Sequence, residues 1–192
     1  NSVYGETLVT PEMLLPENQS CMRLVGTDGK AKMSKSLGNC IYLSDTSKDI
    51  KKKVNSMYTD PEHLQITDPG HVEGNVVFAY LDAFCEPEHF SKFLPEYENL
   101  DAMKDHYRRG GLGDGTCKKF LFNIMEDFLQ PMREKRAHYE QNIPQVYEIL
   151  RKGSEEARAA AAKTLADVRK AMKIDYFDDA DLIAEHTKKY QK

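Results

Sequence analysis

The chain has 192 residues, 40% of them hydrophobic and 30% charged, with a formal net charge of −4. That length holds one domain of ordinary size, or one domain and part of another, and the composition is that of a globular, helix-rich protein rather than a disordered one. No apolar run approaches the ~20 residues that a membrane-spanning helix needs, and the near-neutral total excludes a uniformly basic surface while leaving room for local patches.

In chain order, the opening Asn1-Ser2-Val3-Tyr4-Gly5-Glu6 has neither the basic nor the apolar region of a signal peptide and no initiating Met. A cytoplasmic piece of a longer protein is expected. Up to residue 42, short apolar stretches alternate with Pro11, Pro16, Gly26, Gly29 and Gly38. This reads as loops with one short strand near Cys21–Val25. A lone strand cannot pair its edges within its own segment, so residues 1–42 are expected to be the tail of a sheet domain whose body lies upstream.

After Tyr42 the pattern becomes helical. Asp45 or Ser47 can cap a helix running to about Tyr58, with Ile50, Val54 and Met57 or Tyr58 on one face, until Thr59-Asp60-Pro61 stops it. Further helices are expected over about Asn75–Phe84, Pro87–Leu94 and Tyr97–Arg109. A glycine-dense turn follows at residues 110–115. Phe120, Leu121, Ile124, Met125, Phe128 and Leu129 then repeat with a 3.6-residue period. Pro131 is expected to kink or break that helix, which should continue past Tyr147 and end near Gly153. Ser154 is then expected to cap an alanine-rich helix to about Lys173, and a last helix spans Asp179–Tyr190. Tyr80, Phe120, Phe128, Tyr139 and Tyr147 are placed in the core. The fold class is mainly α. Residues 1–42 form the tail of an α/β domain, 43–177 a helical bundle and 178–192 a C-terminal helix.

Charge is unevenly spread. Residues 30–53 carry a net +5, residues 54–105 a net −9 and residues 106–136 a net +3. Basic zones are usually solvated helix faces, but these two could also meet phosphates. Cysteines 21, 40, 85 and 117 and the six histidines lack metal-ligand spacing, so no protein-bound metal and four reduced thiols are expected.

The sharpest chemical signal is Lys32-Met33-Ser34-Lys35-Ser36, followed by Leu37-Gly38-Asn39. Two ammonium groups three residues apart, with the Ser34 hydroxyl between them, that of Ser36 after them and glycines around them, can stabilise negative charge growing on a leaving pyrophosphate. Lysine suits this as a compact charge on a flexible stem, and a loop after a strand end is where α/β folds bind nucleotides.

This run resembles the signature loop of the class I aminoacyl-tRNA synthetases. Gly26-Thr27-Asp28-Gly29-Lys30-Ala31 before it and Ile41-Tyr42-Leu43-Ser44-Asp45 after it resemble the bacterial tryptophanyl family. So do Lys52-Lys53-Val54 leading to Thr59-Asp60-Pro61, Gly74 to Asp82, Gly111-Leu112-Gly113-Asp114-Gly115 with Lys118-Lys119-Phe120-Leu121, and Pro131 to Arg136. The likeness spans residues 1 to about 173. It implies the C-terminal part of an ATP-dependent ligase joining tryptophan to tRNA(Trp), with a Rossmann-type tail before an anticodon-binding bundle. Lys35 inherits the main phosphate contact and Lys32 assists. Met33, Ser34 and Ser36 complete the ATP loop, and Met22 lies beside the adenine. ATP would bring Mg²⁺ with it, and the parent would be a homodimer without a membrane. Arg108, Arg109, Lys118, Lys119, Arg133 and Arg136 are the candidate tRNA contacts, with Tyr107 a candidate stacking ring. The family's His-Ile-Gly-His-like element and the tryptophan-binding stretch do not occur in the chain, so this piece alone is expected to be inactive. The same role in a tyrosyl enzyme, or a separate helical RNA-binding or interaction module, stays open.

Overall fold

The computed structural model describes residues 1–191. Among these, seven α-helices account for the regular structure: α1 (Ser47–Asn55), α2 (Val76–Phe84), α3 (Pro87–Phe93), α4 (Leu100–Arg109), α5 (Asp114–Glu140), α6 (Ile143–Ala171) and α7 (Ala180–Tyr190). No strand forms among the described residues. The expected strand at Cys21–Val25 is replaced by a 3-10 turn at Gln19–Cys21 and one antiparallel bridge between Val25 and Lys32. Val25 finds a single backbone partner, and one bridge does not make a ladder.

Helix starts follow short polar side chains. Thr46 caps α1, its hydroxyl accepting from the Asp49 amide. Neither expected cap does so, because Asp45 instead accepts from the Tyr42 amide and pairs with Lys53. Asn75, Asn99 and Asp179 cap α2, α4 and α7 through their side-chain oxygens. Each such cap typically contributes about 1 kcal/mol. Asn99 moves the start of α4 three residues past the expected Tyr97.

The chain divides into two compact units. One comprises residues 15–138. Its centre is α2, in which Val76, Val77, Phe78, Tyr80 and Leu81 are all buried, as befits a helix with Asp82 as its one charged residue. Ile50 and Val54 of α1, Met103 and Tyr107 of α4 and Phe120, Leu121, Ile124 and Leu129 of α5 close over it. Phe78 meets Tyr107, and Phe90 meets Phe120, both with ring centroids 4.9 Å apart. Tyr80 and Phe120 therefore lie in the core as expected. Phe128 does not; it is 46% exposed.

The other unit comprises residues 1–14 and 139–192. Its first residues are tied by Asn1, whose side-chain oxygen accepts from the amides of Thr7 and Leu8. Neither α6 nor α7 has a buried residue. Tyr139 and Tyr147, placed in the core by sequence, are 40% and 70% exposed here. The break also lies elsewhere than expected. α5 runs through Pro131 to Glu140, and the chain interrupts at 141–142 before Pro144 at the start of α6, a position where proline is pre-organised for helix. Gly153 and Ser154 lie inside α6. One glycine costs about 1 kcal/mol relative to Ala, too little to end a helix flanked by strong helix formers.

Candidate functional site

The lysine loop is held by its neighbours on both sides. Beside the Val25–Lys32 bridge, the Gly26 amide donates to the Ala31 carbonyl at 2.7 Å and the Met33 amide to the Leu24 carbonyl at 3.1 Å. The resulting narrow turn needs Gly29, whose φ is 68°. Asn39, buried, locks the turn to the lysine run. Its Oδ1 accepts from the Ser34 amide at 2.8 Å, its Nδ2 donates to Asp28 at 3.1 Å, and its backbone carbonyl accepts from the Thr27 amide at 2.9 Å. The Asn39 amide beside it holds the Asp28 carboxyl below its ordinary value. The Tyr80 hydroxyl, reaching out of α2, donates to the Val25 carbonyl at 2.9 Å and anchors the turn to the helical core.

Beyond Ser34 the backbone reverses: Gly38, with φ 66°, donates to the Lys35 carbonyl at 3.2 Å. The Ser34 and Ser36 hydroxyls lie 2.9 Å apart. Lys32, Lys35 and Ser36 are exposed. Among the described residues neither lysine ammonium makes an ion pair or a hydrogen bond. The nearby Lys53 is different, paired with Asp45.

Met33, Ser34 and Lys35 form one wall of a cleft of about 810 Å³. Residues 40–44 continue that wall, and Met132, Lys135 and Arg136 of α5 face it. The structure thus brings Lys35 and Arg136, placed by sequence in separate sites, to one cleft. Met22, Lys32, Ser36, Arg108, Arg109, Lys118, Lys119 and Arg133 do not line it.

The remaining candidates have other surroundings. Arg108 pairs with Glu73 at 2.9 Å and Asp105 at 3.2 Å. Arg109 donates to the Asp105 carbonyl, and Lys118 to the Asn55 carbonyl at 2.9 Å. Lys119 is exposed. Arg133 grips both oxygens of Glu126, at 2.7 and 3.2 Å, a strong fork geometry. Tyr107 is fully buried. Its hydroxyl donates to Asp114 at 2.7 Å, and burial first, then that carboxylate, pushes its pKa well up. It has no ring face to offer a base.

Sequence reasoning missed Asn39, Asp28 and the Tyr80 hydroxyl. An Asn directly after a glycine in a loop was the available signal, since such side chains often bond nearby backbone. Among the described residues no group of three or more His, Cys, Asp or Glu is placed to hold a metal ion. All four cysteines are free. Burial raises the Cys85 thiol to about 11 and Cys117 to about 12, which keeps both un-ionised near neutral pH.

A family model described as "tRNA synthetases class I (W and Y)" matches residues 2–130, a span holding the lysine loop, α1 to α4 and most of α5. The chain belongs to the class I tRNA synthetases (W and Y). It is 52% identical over 180 residues to a tryptophan–tRNA ligase of Clostridium longisporum, covering 93% of this chain and 50% of that protein. A tryptophan–tRNA ligase of Streptococcus agalactiae serotype V is 49% identical over 178 residues, covering 92% and 50%. The chain therefore spans about half the length of the relatives it matches. Among solved structures, a tryptophanyl-tRNA synthetase from Campylobacter jejuni, complexed with ADP and tryptophan, superposes with a TM-score of 0.65 at 27% identity, covering 90% of this chain and 50% of that one. One from Mycoplasma pneumoniae, at 22% identity and a TM-score of 0.55, covers 81% and 45% and shares the fold. No helix among the described residues is long and apolar enough to cross a membrane.

Proposed function

We propose that this class I tRNA synthetase chain supplies the ATP-phosphate loop and the tRNA-reading helices of a tryptophan–tRNA ligase. In the first step the tryptophan carboxylate attacks the α-phosphorus of ATP, forming tryptophanyl-adenylate. The bond from that phosphorus to the bridging oxygen breaks, and its electron pair leaves on pyrophosphate. Negative charge grows on the departing oxygens, and cations positioned beforehand lower the barrier. Lys35 is the principal cation and Lys32 its assistant, with the Met33 backbone and the hydroxyls of Ser34 and Ser36 around the phosphates. Mg²⁺ would travel with the nucleotide and neutralise part of the same charge. The cleft wall formed by this chain contributes cations and no carboxylate to hold that ion. The backbone near Met22 lies toward the adenine. In the second step a terminal ribose hydroxyl of tRNA(Trp) attacks the acyl carbon of the adenylate, the bond from that carbon to the AMP oxygen breaks, and AMP leaves. The tRNA backbone meets Arg108, Arg109, Lys118, Lys119, Arg133 and Arg136 of the helical part. The working enzyme is a cytoplasmic homodimer, with an α/β part completing residues 1–42, a bundle over 43–177 and a terminal helix over 178–192.

The observation that carries this reading is the pair of unpartnered ammonium groups on a loop fastened by Asn39 beside an open cleft. Isotope exchange between ATP and pyrophosphate tests it. A full-length enzyme carrying this chain should exchange with tryptophan and not with tyrosine, and the 192-residue chain alone should not exchange. Tyrosine-dependent exchange would assign the tyrosyl role instead, and exchange by the chain alone would contradict the division of labour.

A further inference from the structure

We infer that Lys135 of α5 is a second polyphosphate-binding residue, acting across the cleft from Lys35. The inference rests on the reading of the lysine loop as a phosphate site and extends that site onto a helix of the bundle. Three observations support it. The cleft is lined by three cations, Lys35, Lys135 and Arg136, and by no acidic residue. A concave surface of one sign concentrates field and draws the opposite charge. Met132, Lys135 and Arg136 stand at i, i+3 and i+4 on α5, so they share one helix face.

The third observation is where the acids of this unit are. Lys53 is paired with Asp45, Lys92 with Asp127, Lys104 with Asp82 and Arg133 with Glu126. Glu134, next to Lys135 in sequence, accepts from Gln130. Of the cations on the two facing walls, the ammonium groups of Lys35 and Lys135 make no ion pair or hydrogen bond among the described residues. Two unneutralised ammonium groups on one cleft repel each other unless an anion lies between them. A linear polyphosphate, with negative charge on the oxygens of each phosphate unit, matches separated point charges of this kind, for which lysine is suited.

Calorimetric titration of the 192-residue chain with inorganic pyrophosphate at low ionic strength tests the assignment. Lys135→Gln should weaken binding about tenfold, the scale of one charge-assisted contact. Lys135→Arg, which keeps the charge, should restore most of it, and Lys163→Ala, on α6, should leave it unchanged. Lys35→Ala should weaken it at least as much as Lys135→Gln. Unchanged affinity in Lys135→Gln, or no binding by the unaltered chain, overturns the proposal. If Lys35→Ala weakens binding and Lys135→Gln does not, the loop reading stands and this inference fails. If neither matters, both fail. A Lys135→Gln chain that loses tRNA but keeps its pyrophosphate affinity assigns the residue to nucleic acid and also overturns the proposal.

Discussion

Asn39 joins the Gly26–Ala31 turn to the lysine run through three hydrogen bonds. Replacing it with Ala removes the two made by its side chain and leaves the Ser34 amide unsatisfied, at a cost of about 1–3 kcal/mol. The expected result in a full-length enzyme is slower adenylate formation with little change in the circular dichroism of the bundle, since the side-chain bonds of Asn39 go to the turn and the lysine run and not to a helix. Gly26→Ala should act the same way, because a Cβ there would overlap the Asn39 amide. Undiminished adenylate formation by both variants would show that loop geometry is unimportant.

His71 and Asp60 offer a second test at this scale. Burial works to raise the Asp60 carboxyl, but the amides of Glu62 and His71 and the His71 ring outweigh it and bring the pKa down. The Asp60 carboxylate, 2.8 Å from the ring, raises that of His71 in turn. The carboxylate's contribution to stability is present above its unfolded value of about 4 and lost as pH falls through its lower folded value. The histidine's is present below its unfolded value of about 6.5 and lost as pH rises through its higher folded value. Both operate between those two unfolded values. An NMR titration should place the His71 midpoint above 6.5, and Asp60→Asn should return it toward that figure. A midpoint at or below 6.5 in the unaltered chain would contradict the pairing.

At the scale of elements, apolar periodicity located α1 to α5 because their buried faces are simple stripes of Ile50 and Val54, Val76 to Leu81, and Phe120 to Leu129. It failed where burial does not decide. Phe128 continues the α5 period yet faces partly outward, and Tyr147 lies on a helix with no buried residue at all. The Gly153-Ser154 pair resembles an ending and a cap, but local propensity carries α6 across it. Nothing lies within 4 Å of a Cβ built at Gly153 and its φ is not positive. Gly153→Ala should therefore stabilise α6 by about 0.5–1 kcal/mol, read as a higher midpoint in helix melting. A lower midpoint would mean that α6 is interrupted there. The lysine loop was legible as a motif, while its fastening was not. The bonds from Asn39 to Asp28 and from Tyr80 to Val25 join residues that no period or spacing connects.

For the whole molecule, the three charge zones of the sequence resolve differently in space. Several acids of the acidic middle are paired: Asp82 with Lys104, Glu73 and Asp105 with Arg108, and Asp60 with His71. Of the second basic zone, Arg108 and Arg133 have acidic partners, and Lys135 and Arg136 line the cleft of Lys35. That convergence could not be read from the sequence, because it depends on α5 lying beside residues 40–44.

The proposed reaction stands on Lys35 stabilising charge on departing pyrophosphate. Single-turnover formation of tryptophanyl-adenylate, followed by rapid quench in a full-length enzyme with and without Lys35→Ala, measures that directly. A rate lowered about 10²–10³-fold, the scale of losing one preorganised charge donor, is the expected result, with ATP affinity changed much less. An adenylate-forming rate equal to that of the unaltered enzyme would contradict the role of Lys35.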